Sequence, residues 1–420
     1  MHTLAGKGSF TQSVRRLGFY AQDSWRLSRN LTVNYGLRWD TTFGLFIASG
    51  RDQTQTPAYL TLKALQIPLI NGAPHDYRKA FAPRLGIAYA PGHGERTVLR
   101  AGFGLYYNDL AQNGWVAALQ AVNAPPPLCV NPKDPGCIGG AIIDSHYHTP
   151  YAIHATAGIQ HAFNDHWILG ADYTHETGMH GYRAYSGYPV PNIDVYKSDN
   201  RSSYDGLMIH LQGNTRRASL IAHYTLSSAK TWGCLLGELF DYVNGVCDPL
   251  NPFGPGDYGP SGEDVRHRFV LSGIFHAPGG FEVSTLTQAE SARPFTITTA
   301  DGDQRISVNG VPTSLDEFRG TPYIQVDLRV ARPIKFREGW TVVPFIEFFN
   351  LFNRNNPGAN YVTNVAALPL PASQIGPGGV TGITSLKQLA KPAGALGDFF
   401  GPGTTVGIPF AAQAGFRVSF

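Results

Sequence analysis

Imidazoles are the densest chemistry-bearing groups in one stretch of this sequence, where His146, His148 and His154 fall within nine positions. Neutral imidazole is a common ligand for divalent metals and titrates near neutral pH, so such a cluster raises metal binding first. A site would need a second group of donors at fixed ligand spacing, and the sequence offers none. No metal is expected. Ser, His and Asp all occur, but no Gly-x-Ser-x-Gly elbow and no paired acidic motif sits between a strand and a helix. The sequence therefore predicts no catalytic residue, no cofactor-binding residue and no cofactor, and the chain is not read as an enzyme.

Four cysteines form two local pairs, Cys129 with Cys137 and Cys234 with Cys247. In an oxidising compartment each pair could staple a small loop, with free or partly paired thiols as the alternative. A further set of groups is mostly cationic: Arg38, Arg84, Arg100, Arg266, Arg268, Asp327, Arg329 and Arg417, with Arg26, Asp172, His210 and His223. Arginine outnumbers aspartate in this set. Arranged on one wall, such residues would attract an anionic solute or pair with acidic residues elsewhere; the plainer alternative is charges that compensate one another and bind nothing.

The elements that carry these residues explain why they would share a wall. Leu31, Val33, Tyr35, Leu37 and Trp39 alternate with Thr32, Asn34, Gly36, Arg38 and Asp40, the period-two pattern of a strand with one apolar and one polar face. Twelve further segments show the same alternation, from Leu17–Leu27 through Ala412–Phe420, making thirteen. The gaps between them alternate between a turn of a few residues and a loop of roughly thirty to sixty, the signature of a transmembrane β-barrel with short periplasmic turns and long outer loops. These charges fall on the polar face, so they are lumen-facing candidates. Trp25, Trp39, Trp167, Tyr89, Tyr107 and Tyr173 fall near strand ends on the apolar face and suit an aromatic girdle; a sugar-stacking platform is the alternative. Asp23 conflicts with this register, since it falls between Ala21 and Trp25 on the apolar face, and a rim position or a local bulge would accommodate it. In the twelfth segment, Trp340 to Phe349, both faces are apolar and the register is open.

Composition agrees with an all-β chain. Only 15% of the 420 residues are charged and 12% are aromatic, with 48 Gly and 30 Pro. A formal net charge of +3 without a Lys/Arg run argues against a nucleic-acid partner. No apolar stretch is long enough for a transmembrane helix, and a mean hydropathy of -0.15 is compatible with a barrel, whose apolar residues occupy alternate positions. Outer-membrane lipid is the expected surroundings of such strands, because an open sheet in lipid would expose backbone groups that closure satisfies.

The local wording resembles a known family. Phe19-Tyr20-Ala21-Gln22-Asp23-Ser24-Trp25-Arg26 and Leu31-Thr32-Val33-Asn34-Tyr35-Gly36-Leu37-Arg38-Trp39-Asp40 resemble the barrel of TonB-dependent outer-membrane receptors. Phe81-Ala82-Pro83-Arg84-Leu85-Gly86, Tyr204-Asp205-Gly206-Leu207, Asp264-Val265-Arg266-His267-Arg268-Phe269, Arg293-Pro294-Phe295-Thr296-Ile297 and Glu347-Phe348-Phe349-Asn350-Leu351-Phe352-Asn353 are similar to the Oar-like branch, whose members carry a carboxypeptidase-regulatory-like domain. Phe416, Val418 and Phe420 resemble the C-terminal signal read by the barrel assembly machinery.

The resemblance implies a receptor that binds or imports a scarce, unidentified small solute across the outer membrane of a Gram-negative-type cell. It implies about twenty-two strands, of which about thirteen are expected here, at residues 17–420, with 1–16 as an N-terminal remnant. The plug, the signal peptide and nine strands (22 minus 13) are expected to be absent, and the TonB complex is a partner only if an upstream plug exists. Two rivals stand beside this reading: an outer-membrane structural or adhesion barrel that displays long loops without transport, and a soluble carbohydrate-binding or hydrolytic β protein.

Overall fold

A computed structural model of the chain describes residues 11–68, 72–92, 96–108, 140–235, 244–302, 304–336, 339–356, 363–368, 370–385, 388–389 and 408–420. Thirteen long strands run through these residues. They are β1 (Arg15–Ser28), β2 (Leu31–Phe43), β3 (Ala80–Tyr89), β4 (Thr97–Tyr107), β5 (Tyr151–Ala162), β6 (Trp167–Tyr185) and β7 (Ile193–Asn214), followed by β8 (Ala218–Trp232), β9 (His267–Ala277), β10 (Phe281–Glu290), β11 (Tyr323–Ala331), β12 (Thr341–Phe349) and β13 (Ala411–Ser419). Each pairs antiparallel with its sequence neighbour, giving one continuous meander. Among the described residues β1 pairs along its length with β2 alone and β13 with β12 alone, so the meander is not closed.

Directly opposed residues of an antiparallel pair lie on the same face, so the ladder extends one strand's face across the whole sheet. Trp39 opposes Phe19 and Phe81, and Tyr35 opposes Leu85, which opposes Phe103. Ala101 opposes Ala157, Ile159 opposes Ala171, and Ala171 opposes Ile209. The same apolar row reaches Phe269, Val283, Val330 and Ile346. Its large side chains are exposed, including Phe19, Leu37, Phe81, Leu85, Phe103, Ile159 and Ile209. An apolar face of this extent suits a lipid surround and not water. From Phe81 to Tyr89 is eight residues along β3, about 27 Å of strand and roughly 20 Å of height at a tilt of about 40°, close to the apolar band of an outer-membrane barrel.

The twelfth strand's register is set by its partners. Val342, Pro344, Ile346 and Phe348 oppose Val418, Phe416, Ala414 and Ala412, which puts them on the apolar row. Val343, Phe345, Glu347 and Phe349 take the other face. Phe345 fits there because Gly415 opposes it, and a Cβ at 415 would lie 2.8 Å from its Cζ. Asp23 stays on the apolar face opposite Tyr35 and accepts that hydroxyl at 3.1 Å; the irregularity in β1 lies further on, between Arg26 and Ser28. The first strand begins at Arg15, two residues ahead of the expected start.

The connection after β6 corrects the expected loop pattern. Loops of the expected length join β2 to β3, β4 to β5, β8 to β9, β10 to β11 and β12 to β13, but β6 and β7 continue as paired strands to a short tip at residues 186–192. Above the membrane a hairpin has no lipid face to keep apolar, so the alternation ends while the pairing goes on. His175, Thr177, Asp205 and Ser203 replace the apolar row above Tyr173, and Asp205 holds the Tyr173 hydroxyl at 2.6 Å and His175 Nδ1 at 2.8 Å.

The outer loops carry the buried apolar interior. Phe295, Ile297, Ile306 and Phe318 from the β10–β11 loop pack with Val365, Leu368, Val380, Ile383 and Leu389 from the β12–β13 loop. Leu45, Phe46, Ala141, Ile143 and Tyr147 pack against Tyr182 of β6. Helix α1 (Pro57–Ala64), capped by the Thr56 hydroxyl accepting from Tyr59 N–H, places Ala58, Tyr59 and Leu62 against Ile142, Tyr185, Ile193 and Val195. Fully burying each such side chain contributes about 1.5–3 kcal/mol, which is how the loops hold a shape of their own.

Candidate solute-facing site

The face opposite the apolar row carries the predicted charges. The ladder puts Arg26, Arg38, Arg84, Arg100, Asp172, His210, His223, Arg268, Asp327, Arg329 and Arg417 on it, while Arg266 lies just ahead of β9. Many of them are compensated. Arg38 grips Asp40 with two hydrogen bonds of 2.6 and 2.7 Å, Arg268 meets Glu290 at 3.0 Å, and Arg329 meets Glu347 at 3.0 Å. Arg266 approaches Asp264 at 4.0 Å, and the same buried carboxylate is held by Arg319. Asp327 accepts from Gln325 and from the Asn350 backbone. Asp172 lies 3.5 Å from His210 Nδ1 without an aligned hydrogen bond, and the His210 ring neighbours His223.

Arg84, Arg100 and Arg417 have no carboxylate partner among the described residues. Arg100 donates to the neutral Gln160 at 3.0 Å. Arg84 lies over the Tyr106 ring, 4.6 Å from its centroid, and that ring packs against His154 at 4.7 Å. His154 Nε2 is 2.9 Å from Glu176. Arg84, Tyr106 and His154, from β3, β4 and β5, border a recess of about 520 Å³, with Glu176 of β6 behind His154 and outside the lining. Its floor is low because Gly36, Gly86, Gly102 and Gly104 replace side chains there; Gly86 opposes Gly102, and Gly104 opposes Arg84. The recess thus combines one uncompensated guanidinium, an aromatic face, an imidazole and polar neighbours Gln22, Ser24, Asn34 and Thr156. An anionic or hydroxyl-rich solute of modest size matches that chemistry.

His146 and His148 do not join His154. His146 sits beside Asp144 at 3.1 Å, and His148 stacks on His180, which the sequence did not single out. Among the described residues no group of three or more His, Cys, Asp or Glu converges as a metal site. Of the cysteines, Cys234 and Cys247 are joined by a disulfide, while Cys129 and Cys137 lie outside the described residues. The staple anchors the β8–β9 loop, since Arg305 donates to Cys234 O at 2.8 Å and pairs with Asp257 at 2.6 Å. At the other end of the wall, Phe416 and Val418 lie on the apolar row and the Phe420 ring packs 5.2 Å from Trp340. Of the six expected girdle aromatics, Trp39 donates its indole N–H to Arg78 O at 2.8 Å and Tyr173 its hydroxyl to Asp205 at 2.6 Å.

A thirteen-strand antiparallel meander with an exposed apolar face defines an outer-membrane barrel wall. Residues 2–316 match the model of the outer membrane beta barrel domain, and the chain belongs to that family and to the outer membrane. Solved structures share the fold at low identity. The outer membrane transporter YddB from Escherichia coli superposes with a TM-score of 0.54 at 14% identity, over 81% of this chain and 42% of that one. The FrpB iron transporter from Neisseria meningitidis gives 0.51 at 11%, over 83% and 43%. FpvA of P. aeruginosa, bound to heterologous pyoverdines, gives 0.51 at 12%, over 81% and 35%. The chain therefore spans 35–43% of the length of these three structures. Among proteins with curated descriptions no match is found.

Proposed function

We propose that this chain forms the C-terminal part of the barrel of a TonB-dependent outer-membrane receptor of the Oar-like branch, which in complete form binds or imports a scarce solute. The observation that carries the reading is the meander itself, with two sheet edges left open at β1 and β13. Open edges in lipid cost several kcal/mol per unsatisfied group, so further strands completing the wall, of the kind the longer solved transporters contain, fit this arrangement. On this reading the polar face lines the lumen, Arg84, Tyr106 and His154 contact the solute or a plug, and Phe416, Val418 and Phe420 are read by the assembly machinery. TonB would act only through an upstream plug.

Uptake of candidate iron chelates, oligosaccharides and peptides, compared in cells with and without TonB and with and without the receptor containing this chain, tests it. Arg84→Ala combined with His154→Ala is expected to lower uptake of the cognate solute about tenfold, with barrel assembly unchanged. Uptake that does not require TonB would overturn the TonB-dependent part of this reading, and uptake of no solute at all would point to the second reading, a barrel that displays its loops without transport. The buried clusters inside those loops favour that alternative enough to retain it.

A further inference from the structure

We propose that His148 and His180 form a site for a divalent transition-metal ion at the outer rim of the wall. His180 stands at the β6 irregularity between Met179 and Gly181, with a φ of 61° that turns its side chain out of the ladder. His148 lies in the segment leading into β5. The two rings stack with centroids 4.8 Å apart and an interplanar angle of 22°.

One residue of β7 fixes both histidines. Ser198 Oγ accepts the His148 backbone N–H at 2.9 Å, and Ser198 O accepts from His180 Nδ1 at 3.0 Å. His148 Nδ1 in turn meets His146 O at 3.1 Å. A backbone carbonyl only accepts, so both Nδ1 atoms carry the proton and both Nε2 atoms carry the lone pair. Among the described residues neither Nε2 has a hydrogen-bond partner. Donation of the second ring nitrogen to a carbonyl is the usual support of a metal-ligating histidine, since it fixes tautomer and orientation together. The Tyr77 ring against His148 and the Tyr151 ring against His180, each at 5.7 Å, complete the holding of the pair.

Paired imidazoles favour copper(II), zinc or nickel over calcium or magnesium. Two nitrogens bound at about 2.0–2.1 Å stand roughly 3.3 Å apart around a tetrahedral ion, so the exposed His148 ring must swing out of its stack on His180 for both Nε2 lone pairs to meet one ion. Water would fill the remaining positions. The titratable and charged groups around the pair are His146 with Asp144 on the same segment, Tyr77 and Lys79 on the segment before β3, and Tyr151 on β5.

Titration of copper(II) into the untagged full chain in detergent micelles at pH 7.5 tests the site. One ion per chain is expected, with an electron paramagnetic resonance spectrum split by two nitrogens. His148→Phe, which keeps a ring to stack, and His180→Asn, which tolerates the positive φ, are each expected to weaken binding at least tenfold. His146→Ala should leave it unchanged, because His146 contributes its carbonyl. A wild-type spectrum without two-nitrogen splitting overturns the proposal whatever the variants do. So does wild-type affinity in both ring variants, each shown by a heat-dependent gel shift to be folded.

Discussion

The Arg329 guanidinium on β11 donates to Glu347 Oε1 on β12 at 3.0 Å and rests on the Phe345 ring, 4.2 Å from its centroid. Glu347 also accepts from Gln413 on β13. One carboxylate thus ties three consecutive strands on the polar face. Arg329→Ala leaves that carboxylate with its amide partner alone and removes the cation above Phe345. We expect a loss of about 1–2 kcal/mol, moderated by the partial exposure of the pair. Glu347→Gln, which retains hydrogen bonding, should cost less. Urea unfolding in phospholipid vesicles reads both; equal stability of Arg329→Ala and the parent chain would show that the triad contributes nothing.

Two glycines predict opposite outcomes. A Cβ at Gly259 meets the Leu315 backbone carbonyl, which cannot swing aside, whereas a Cβ at Gly86 finds its nearest neighbour, Asn34 Cβ, at 3.9 Å. Gly259→Ala should open the contact between the β8–β9 and β10–β11 loops at a cost of about 1–3 kcal/mol, seen as faster hydrogen exchange at 256–260 and 311–319. Gly86→Ala should change stability by less than about 0.5 kcal/mol. Matching exchange in the two variants contradicts the prediction.

The rim histidines predict a pH response. His148 is held below its ordinary value of 6.5, first by burial and then by His180, His146 and Lys79. Its folded form therefore takes up a proton only at lower pH than the unfolded form does. Between the two values the unfolded chain binds more protons, so rim stability is fully present above about 6.5 and declines as pH falls through the folded value. Hydrogen exchange at 146–150 and 179–181, in chelator and corrected for intrinsic rates, should accelerate between pH 7 and pH 5. His148→Phe should flatten the profile; a flat profile in the parent chain rules the effect out.

Reduction of Cys234–Cys247, or Cys247→Ser, should loosen the β8–β9 loop without dissolving the wall. A staple closing a loop of this size contributes on the order of 3 kcal/mol through the unfolded state. Limited proteolysis should then cut between 244 and 258, while the heat-dependent gel shift of the barrel persists. Loss of the gel shift on reduction would mean that the wall depends on the staple.

Lipid made the wall legible. A face that must be apolar over its whole height imprints strict alternation, so all thirteen strands could be located from residues such as Leu31 to Trp39. Where lipid stops, the imprint stops: β6 and β7 pair on through His175 and Asp205, where nothing in their alternation marks a strand. The twelfth strand was ambiguous because Phe345 is a polar-face residue made apolar by two neighbours, Gly415 and Arg329, that only the fold brings to it. The arginines could be assigned to a face but not to partners, since Arg268 and Glu290 meet across strands. The recess at Arg84 draws on five strands, β1 to β5, and its glycine floor is invisible strand by strand. His180 is not marked by spacing, because its partner His148 lies thirty-two positions away and only the fold brings the two rings together.

Among the described residues the large side chains most completely withdrawn from solvent, such as Leu45, Leu62, Ile142, Ile306, Phe318 and Leu389, belong to the outer loops, joined by Arg183, Tyr185 and Ile193 at the far end of the β6–β7 hairpin beyond the apolar row. The usual map of mutational tolerance is thereby inverted. Substitutions in the membrane-inserted strands are judged by lipid and ladder alone, and many apolar exchanges there should pass unnoticed. Emptying a site such as Leu62 or Ile306 would instead refashion the surface met by an antibody or a phage, in a cell whose barrel still inserts.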